Sequence, residues 1–219
     1  MDEGPERKCS VTAVLFDFGG VLAEEGFVNG LEAIARRYGL DRDRFVALGH
    51  ELVHETGYVT GRCKEGEYWE AVRRSSGIDG DDRTLRHEIL SRFVPRPWMF
   101  EWVDRLRGSG LIVGILSDQT DWLDELDARF GLFVHFDHVF NSFHMGKNKK
   151  DPSHFIDVTT RLGLKPEQAL FVDDREENCA TAASVGLKIL WYRNRGSFEK
   201  ELLFYCPGLG SCEKSGDRR

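Results

Sequence analysis

The sequence predicts an α/β fold in which a parallel sheet is interrupted, after its first strand, by a long helical insertion. The first observation is a set of short, continuous apolar runs, which are typical of strands buried on both faces. The second is that helical patterns separate the later runs, as in parallel βαβ units. The third is the lack of any strand pattern between residues 26 and 93. The predicted strands are residues 13–16, 111–116, 137–141, 169–172 and 187–192.

The first strand ends in a polar turn. Residues 13–16 are apolar, Asp17 follows directly, and Gly19 and Gly20 prevent the strand from continuing. A carboxylate at the carboxyl end of a buried parallel strand lies where open α/β sheets bind ligands. A simpler role for Asp17, as a helix cap or in an Asx turn, also fits this short stretch.

The segment between residues 26 and 93 predicts a bundle of about four helices. Its apolar residues recur at the spacing of helix packing faces. The four stripes are Leu31, Ile34, Ala35 and Tyr38; Phe45, Leu48, Leu52 and Val53; Tyr68, Trp69 and Val72; and Leu85, Ile89, Leu90 and Phe93.

From residue 95 onward, predicted helices alternate with strands, and two strands end in polar pairs. One pair is Ser117-Asp118 and the other is Asp173-Asp174. Because parallel strands bring their carboxyl ends to one edge of a sheet, we expect both pairs to lie near Asp17. The predicted helices are residues 98–106, 120–130, 153–162, 176–185 and 198–204, with a basic loop at 144–152.

Composition excludes several classes of function. The net charge of −7 gives nonspecific nucleic-acid binding no electrostatic driving force. No apolar run approaches the roughly 20 residues that span a bilayer, and the polar, acidic N-terminus is unlike a signal peptide. The five cysteines show no metal-binding spacing, so we expect free thiols in a reducing, cytoplasmic setting. A monomer and a homodimer are equally compatible with the sequence.

Four short motifs resemble those of the haloacid dehalogenase superfamily, and they occur in the family's order. Any one of them is weak evidence, but four together, spread from residue 12 to residue 192, are specific. The motifs are Val14–Leu22, containing Asp17; Ile115–Asp118; Gly146–Pro152, containing Lys149; and Leu170–Asp174, with Glu177 and Asn178 behind it.

The resemblance implies a Rossmann-like parallel sheet core with an inserted helical cap. It assigns residues 1–24 and 94–206 to the core and residues 25–93 to the cap, and it leaves residues 207–219 as a flexible tail. In the family the cap closes over the site, and it would determine specificity here. The cap residues that qualify for substrate contact are His50, His54, Tyr58, Tyr68 and Trp69. The alternative is that the aromatic residues belong to the hydrophobic core and that the histidines are surface residues near the cap mouth.

The resemblance also implies a magnesium-dependent phosphatase. Asp17 would attack phosphorus and form an aspartyl-phosphate, with a small phosphorylated metabolite as substrate. The implied ligands of Mg²⁺ are the Asp17 carboxylate, the Gly19 carbonyl and Asp174, with Asp173 holding a metal-bound water. The alternative is that Asp173 and Asp174 are turn acids, although three adjacent carboxylates repel one another without a cation.

Three further residues would bind the phosphoryl group by the same resemblance. Ser117 would donate a hydrogen bond to it, the Asp118 backbone N–H would lie beside it, and Lys149 would neutralise its charge and hold Asp17. Ser117 also fits a helix cap. Lys149 lies in a basic cluster that is equally compatible with a solvated loop, and Lys147 is the alternative lysine.

The sequence departs from the family pattern in three places. Most phosphatase members carry a second aspartate, the general acid and base, where Gly19 stands. Lys150 replaces the usual proline after the motif lysine, and Asp118 replaces a common asparagine. Members with an Asp-x-Gly motif include phosphatases of anomeric sugar phosphates, whose leaving groups are good, so a sugar phosphate is one candidate substrate.

Two other functions compete with the phosphatase. A 2-haloacid dehalogenase uses the same aspartate to attack carbon without metal, but it usually carries a bulky aromatic residue where Gly19 stands and lacks paired acids in the fourth motif. A protein that binds phosphate with weak or no turnover would follow if nothing replaces the missing acid.

Overall fold

The computed structural model describes residues 9–214, with side chains up to residue 210. Its centre is a five-stranded, all-parallel sheet in the order β3-β2-β1-β4-β5. All five strands lie within one or two residues of their predicted positions, which confirms the predicted α/β class. The strands are β1 (Ala13–Phe16), β2 (Ile112–Ser117), β3 (His138–Asn141), β4 (Ala169–Asp173) and β5 (Lys188–Trp191).

The register of the sheet determines which polar residues meet. Phe16, the last residue of β1, pairs with Ile115 on β2 and with Val172 on β4. The chain therefore leaves β1 at Asp17 at the level where β4 reaches Asp173. Because β1 is the central strand, its end faces the ends of both neighbours.

Five helices lie between β1 and β2. They are α1 (Gly26–Tyr38), α2 (Arg42–Glu55), α3 (Glu65–Ser76), α4 (Asp82–Leu90) and α5 (Pro97–Gly108). Their ends follow local chemistry: Gly39 ends α1 in the left-handed region, and the side chains of Asp41 and Asp81 cap α2 and α4. Gly30 lets α1 approach α4 closely, since a Cβ there would lie 2.5 Å from the Ile89 Cα.

The other helices follow the later strands. They are α6 (Trp122–Phe130), α7 (Ser142–Met145), α8 (Pro152–Arg161), α9 (Glu176–Ser184) and α10 (Arg195–Tyr205). The predicted loop at 144–152 begins inside the short helix α7. Because α7 has only four residues, its sequence shows no helical periodicity. The helix depends instead on the Asn141 side chain, which accepts a hydrogen bond from the Phe143 N–H.

Apolar clusters cover both faces of the sheet. Side chains of β1 alternate between them, so that Val14 and Phe16 join the larger cluster and Ala13 and Leu15 the smaller. All four are fully buried, as the continuous apolar run predicted. The larger cluster continues into α1–α4 and joins those helices to the sheet. No helix in residues 9–214 is long and apolar enough to cross a bilayer.

The cysteines differ from the expectation that all are free thiols. Cys9 and Cys206 form a disulfide between the segment before β1 and the end of α10, while Cys63 and Cys179 are free. The pairing crosses 197 residues, so only the folded chain brings the two together. The side chain of Cys212 lies outside the described part of the chain.

The predicted tail at 207–219 is only partly within the described chain. Pro207–Lys214 forms a 3-10 helix, and the Arg105 guanidinium donates a hydrogen bond to the Leu209 carbonyl. Residues 215–219 lie outside the described residues.

Candidate active site

Asp17 lies at the bottom of a cavity at the carboxyl edge of the sheet. Its side chain is almost wholly buried. One oxygen, Oδ1, accepts hydrogen bonds from the Phe18 N–H at 2.7 Å and from the Ser117 hydroxyl at 2.8 Å. Lys149 Nζ lies 2.8 Å from the same oxygen. These three donors fix the orientation of the carboxylate and stabilise its charged form.

Lys149 connects two carboxylates. Only 1% of its side chain is exposed, and Nζ lies 2.7 Å from Asp173 Oδ2 as well as beside Asp17. Although burial lowers the pKa of Lys149, the charges of Asp17 and Asp173 raise it above its usual value. The ammonium group is therefore charged at neutral pH.

The structure distinguishes Lys149 from Lys147, the other lysine of the basic loop. Lys147 Nζ bonds to Ser153 and Asp157, away from the cavity. The backbone N–H of Lys149 donates to both Asp118 oxygens, at 2.9 and 3.1 Å. Asp118 thus holds the loop in the register that directs Lys149 into the site, and burial raises the pKa of Asp118 to about 6.

Ser117 and Asp173 hold other side chains of the site. Helix α6 begins only at Trp122, so Ser117 does not cap it. Asp173 is fully buried, and both of its oxygens accept hydrogen bonds: Oδ1 from the Arg175 N–H, Oδ2 from Lys149, and both from the Asn178 amide. The Asp173 carboxylate thereby holds Lys149 in place.

Asp174 has an unsatisfied atom. Its Oδ1 is buried and has no hydrogen-bond partner among residues 9–210. Burial raises the pKa of Asp174 to about 6, and the charges of Asp173 and Glu25 add to the effect. Burial and the neighbouring carboxylates likewise raise the pKa of Asp17, against the opposing charge of Lys149. Without a cation, the site thus disfavours the full ionisation of its own acids.

This arrangement suits a divalent cation. Ligand atoms of Asp17, Asp173 and Asp174 all lie within 4.8 Å of one another. Hard cations such as Mg²⁺ take oxygen ligands. An ion there would provide a partner for the Asp174 oxygen and offset the repulsion among the three carboxylates.

Gly20 makes the approach of Asp174 possible. Its φ is +79°, in the left-handed region that favours glycine, and a Cβ there would lie only 2.3 Å from Asp174 Oδ2. Gly19 differs, because it has no positive φ. The two glycines of the motif therefore have different functions: Gly20 provides the turn and the space, whereas Gly19 leaves room within the cavity.

Side chains from the helical segment, residues 25–93, also line the cavity. These residues are Glu25, Phe27, His50, Val53, His54, Val59 and Phe93. The two histidines are half-buried, not simple surface residues as expected. Burial, with the nearby charges of Arg175 and Lys150, lowers the pKa of each to about 4, so both are neutral at physiological pH.

The aromatic residues of the helical segment lie elsewhere. Tyr58, Tyr68 and Trp69 are fully buried and pack around Trp122, with ring centroids 5.6 to 6.3 Å from its ring. They do not line the cavity, so the interpretation that they are core residues is the correct one for these three.

Sequence reasoning missed several residues that line the cavity. They are Glu25, Phe27, Phe93, Gln119, Thr120 and Arg175. Glu25 and Arg175 each follow a recognised motif closely in the sequence. That closeness is the one feature that could have identified them as candidate site residues. Neither residue type in that position is distinctive by itself.

The fold and the sequence together place the chain in a family. It belongs to the haloacid dehalogenase-like hydrolases, whose sequence pattern matches residues 11–186. A flavin mononucleotide hydrolase of Arabidopsis thaliana, named as a chloroplast protein, is 24% identical over 199 residues, which cover 90% of this chain and 78% of that protein. A glyceraldehyde 3-phosphate phosphatase of Methanopyrus kandleri is 26% identical over 207 residues, covering 86% of each chain.

Solved structures show the same fold. A family enzyme from Bacteroides thetaiotaomicron, solved with magnesium and inorganic phosphate, has a TM-score of 0.68 and 20% identity and covers 84% of this chain and 94% of its own. An L-2-haloacid dehalogenase from Xanthobacter autotrophicus, with chloropropionic acid covalently bound, has a TM-score of 0.62 and 22% identity over 89% and 83% of the two chains. Both structures share the fold of this chain, so the fold alone does not distinguish an enzyme that binds magnesium and phosphate from a dehalogenase.

Proposed function

We propose that this protein is a magnesium-dependent phosphatase acting on a small organic phosphate monoester, through an aspartyl-phosphate on Asp17. The observation that carries the proposal is the set of groups around Asp17: a charged lysine, a hydroxyl donor, and a neighbouring carboxylate with an unpartnered oxygen. A carboxylate attacks a phosphate dianion only where positive charge offsets their repulsion. The relatives named as phosphatases support the same reading.

The chain's own residues supply most of the chemistry. Asp17 Oδ1 is held by three donors, which leaves Oδ2 as the attacking atom. Lys149 would neutralise charge on the phosphoryl group, and the Asp118 N–H would bind one of its oxygens. The Ser117 hydroxyl has a single proton, which it donates to Asp17 in this structure, so it would bind a phosphoryl oxygen by turning that proton from Asp17 to the substrate. Asp17, the Gly19 carbonyl and Asp174 would hold Mg²⁺, with Asp173 contributing through a water. The ion would supply Lewis-acid stabilisation of the phosphoryl oxygens.

The dehalogenase alternative finds less support in the site. Attack on carbon needs no dense set of carboxylates, whereas three lie within 4.8 Å here. The cavity lining includes two histidines and the cationic side chains of Lys150 and Arg175, so it is not a closed apolar pocket. We propose that residues 25–93, which supply both histidines, act as a cap that excludes water and selects the substrate.

A phosphatase screen tests this proposal directly. We expect hydrolysis of small phosphate esters in the presence of Mg²⁺, with at least a hundredfold loss after chelation and recovery on readdition. The same panel should include anomeric sugar phosphates and primary-alcohol phosphates, which differ in leaving-group quality. Full activity on 2-chloropropionate in excess chelator would instead establish the dehalogenase.

Gly20→Ala provides a test of the site's geometry. The new methyl group would collide with the Asp174 carboxylate, so we expect weakened Mg²⁺ binding and at least a tenfold loss of activity. The matched control is Gly131→Ala, because Gly131 has a φ of +64° but no atom within 4 Å of its hypothetical Cβ. Both variants should lose about 1 kcal/mol of stability to backbone strain, measured by urea unfolding. Equal activity of the two variants would contradict the proposed role of Asp174.

A further inference from the structure

The proposed phosphatase has glycine at position 19, where the family resemblance implies an aspartate that acts as general acid and base. Expulsion of an alkoxide is slow without a proton donor, and general acid–base help is worth about 10²–10⁴-fold. Position 19 is glycine, so any such group must come from elsewhere in the chain.

We propose that Glu25 is this group and that it serves both halves of the reaction. A Cβ built on Gly19 would lie 3.3 Å from Glu25 Oε2 and 3.8 Å from its carboxylate carbon. An aspartate at position 19 would carry its own carboxylate carbon one bond beyond that Cβ. The Glu25 carboxylate therefore reaches from the helical segment into the region that an aspartate side chain would occupy.

The surroundings of Glu25 suit a reactive carboxylate. It lines the same cavity as Asp17 and Ser117. Its Oε1 accepts a hydrogen bond from the Val28 N–H at the start of α1, at 3.4 Å, which holds the side chain. Oε2 has no described hydrogen-bond donor, and within residues 9–210 Glu25 forms no ion pair.

The neighbouring acid behaves differently. Glu24 is exposed, and both of its oxygens bond to the Arg96 guanidinium, at 2.9 and 3.0 Å. Glu24 is outside the cavity that contains Asp17. Of two adjacent glutamates, one forms a surface ion pair and the other is left facing the site, which makes Glu24 a natural control.

The proton balance of the two steps requires one such group. In the first step an Asp17 oxygen bonds to phosphorus, the bond from phosphorus to the leaving oxygen breaks, and that oxygen takes the proton of Glu25 to leave as an alcohol. In the second step water bonds to phosphorus, the bond to Asp17 breaks, and the water proton passes to the Glu25 carboxylate. Hydrogen phosphate leaves, and Asp17 and Glu25 return to their starting forms.

This inference rests on the proposed phosphatase activity, and the test separates the two. The probes are p-nitrophenyl phosphate, whose leaving group needs no proton, and glycerol 1-phosphate or another primary-alcohol phosphate that the panel shows to be hydrolysed. For Glu25→Gln we expect the rate of the first step with the alcohol phosphate to fall by about 10²–10⁴-fold. With p-nitrophenyl phosphate we expect a burst of nitrophenol, slow turnover and accumulated phosphoenzyme after acid quench.

Two further variants make the test specific. Glu24→Gln removes the same charge one residue away and should keep the wild-type dependence on leaving group. In the double variant G19D/E25A, an aspartate replaces the lost carboxylate; Gly19 has no positive φ, and removal of the Glu25 side chain frees the nearest contact. We expect the double variant to hydrolyse the alcohol phosphate at least tenfold faster than Glu25→Ala does.

The outcomes are distinct. Equal losses on both substrates in Glu25→Gln, with no phosphoenzyme, or no recovery in a folded double variant, would overturn the role of Glu25 and leave the phosphatase intact. A wild-type protein without Mg²⁺-dependent turnover on any phosphate ester would overturn both proposals. Thermal melting of each variant checks folding, and glutamine at position 25 retains an oxygen that can accept the Val28 hydrogen bond.

Discussion

Asp17→Asn is expected to reduce the proposed phosphatase turnover by roughly 10⁴-fold or more, since loss of the proposed covalent nucleophile would remove the reaction path itself. The substitution is nearly isosteric. An amide oxygen at Oδ1 can still accept the hydrogen bonds from the Phe18 N–H and the Ser117 hydroxyl. We therefore expect a folded protein with neither turnover nor acid-stable phosphoenzyme, measured by phosphate release and by acid quench.

The control for this variant is Asp124→Asn. Asp124 is an exposed acid that pairs with His144 on the surface, away from the cavity. Its replacement removes the same charge and should leave turnover within a factor of two. If Asp17→Asn retained more than a few per cent of the wild-type rate after purification from a phosphatase-free host, Asp17 would not be the nucleophile.

Lys149→Met should produce the second large effect, on stability as well as on rate. The lysine is wholly buried between Asp17 and Asp173, and its loss leaves two buried carboxylates unpaired. Removing one partner of a buried ion pair typically costs about 3–5 kcal/mol. We expect a loss of that size in urea unfolding without metal, together with at least a thousandfold loss of activity.

The matched control is Lys147→Met in the same loop. Lys147 pairs with Asp157 at a partly exposed position, and such pairs contribute about 0–1 kcal/mol. Two measurements then isolate the cause of the larger effect. Mg²⁺ should restore part of the stability of Lys149→Met, and Asp173→Asn in that background should restore part of it without metal. A Lys149 variant as stable as the Lys147 variant would contradict the buried charge pairing.

The sheet was largely predictable because its signals are local. A strand buried on both faces requires a continuous apolar run, and each run that meets this requirement became a strand. The parallel topology then required Asp17, Ser117 and Asp173 to emerge at one edge, so their proximity followed from the order of the elements. The short helix α7 was missed, because a side-chain cap and not a periodic pattern forms it.

The details of the site depended on contacts between distant residues. The pattern of the basic loop left Lys147 and Lys149 as alternatives, and only the bond from the Lys149 N–H to Asp118 distinguishes them. The unpartnered oxygen of Asp174 and the position of the Glu25 carboxylate beside Gly19 are likewise seen only in the folded site.

The sequence by itself thus determined the fold class, the family resemblance and the edge of the sheet at which polar residues gather. Apolar runs are local features of the sequence, and the order of helices and strands along the chain can be read from them directly. Tertiary structure alone decided the Cys9–Cys206 pairing, the burial of the aromatic residues in the helical segment, and the neutral state of the histidines that line the cavity. These features depend on desolvation and on distances between segments far apart in the chain. Neither quantity can be calculated before the chain is folded.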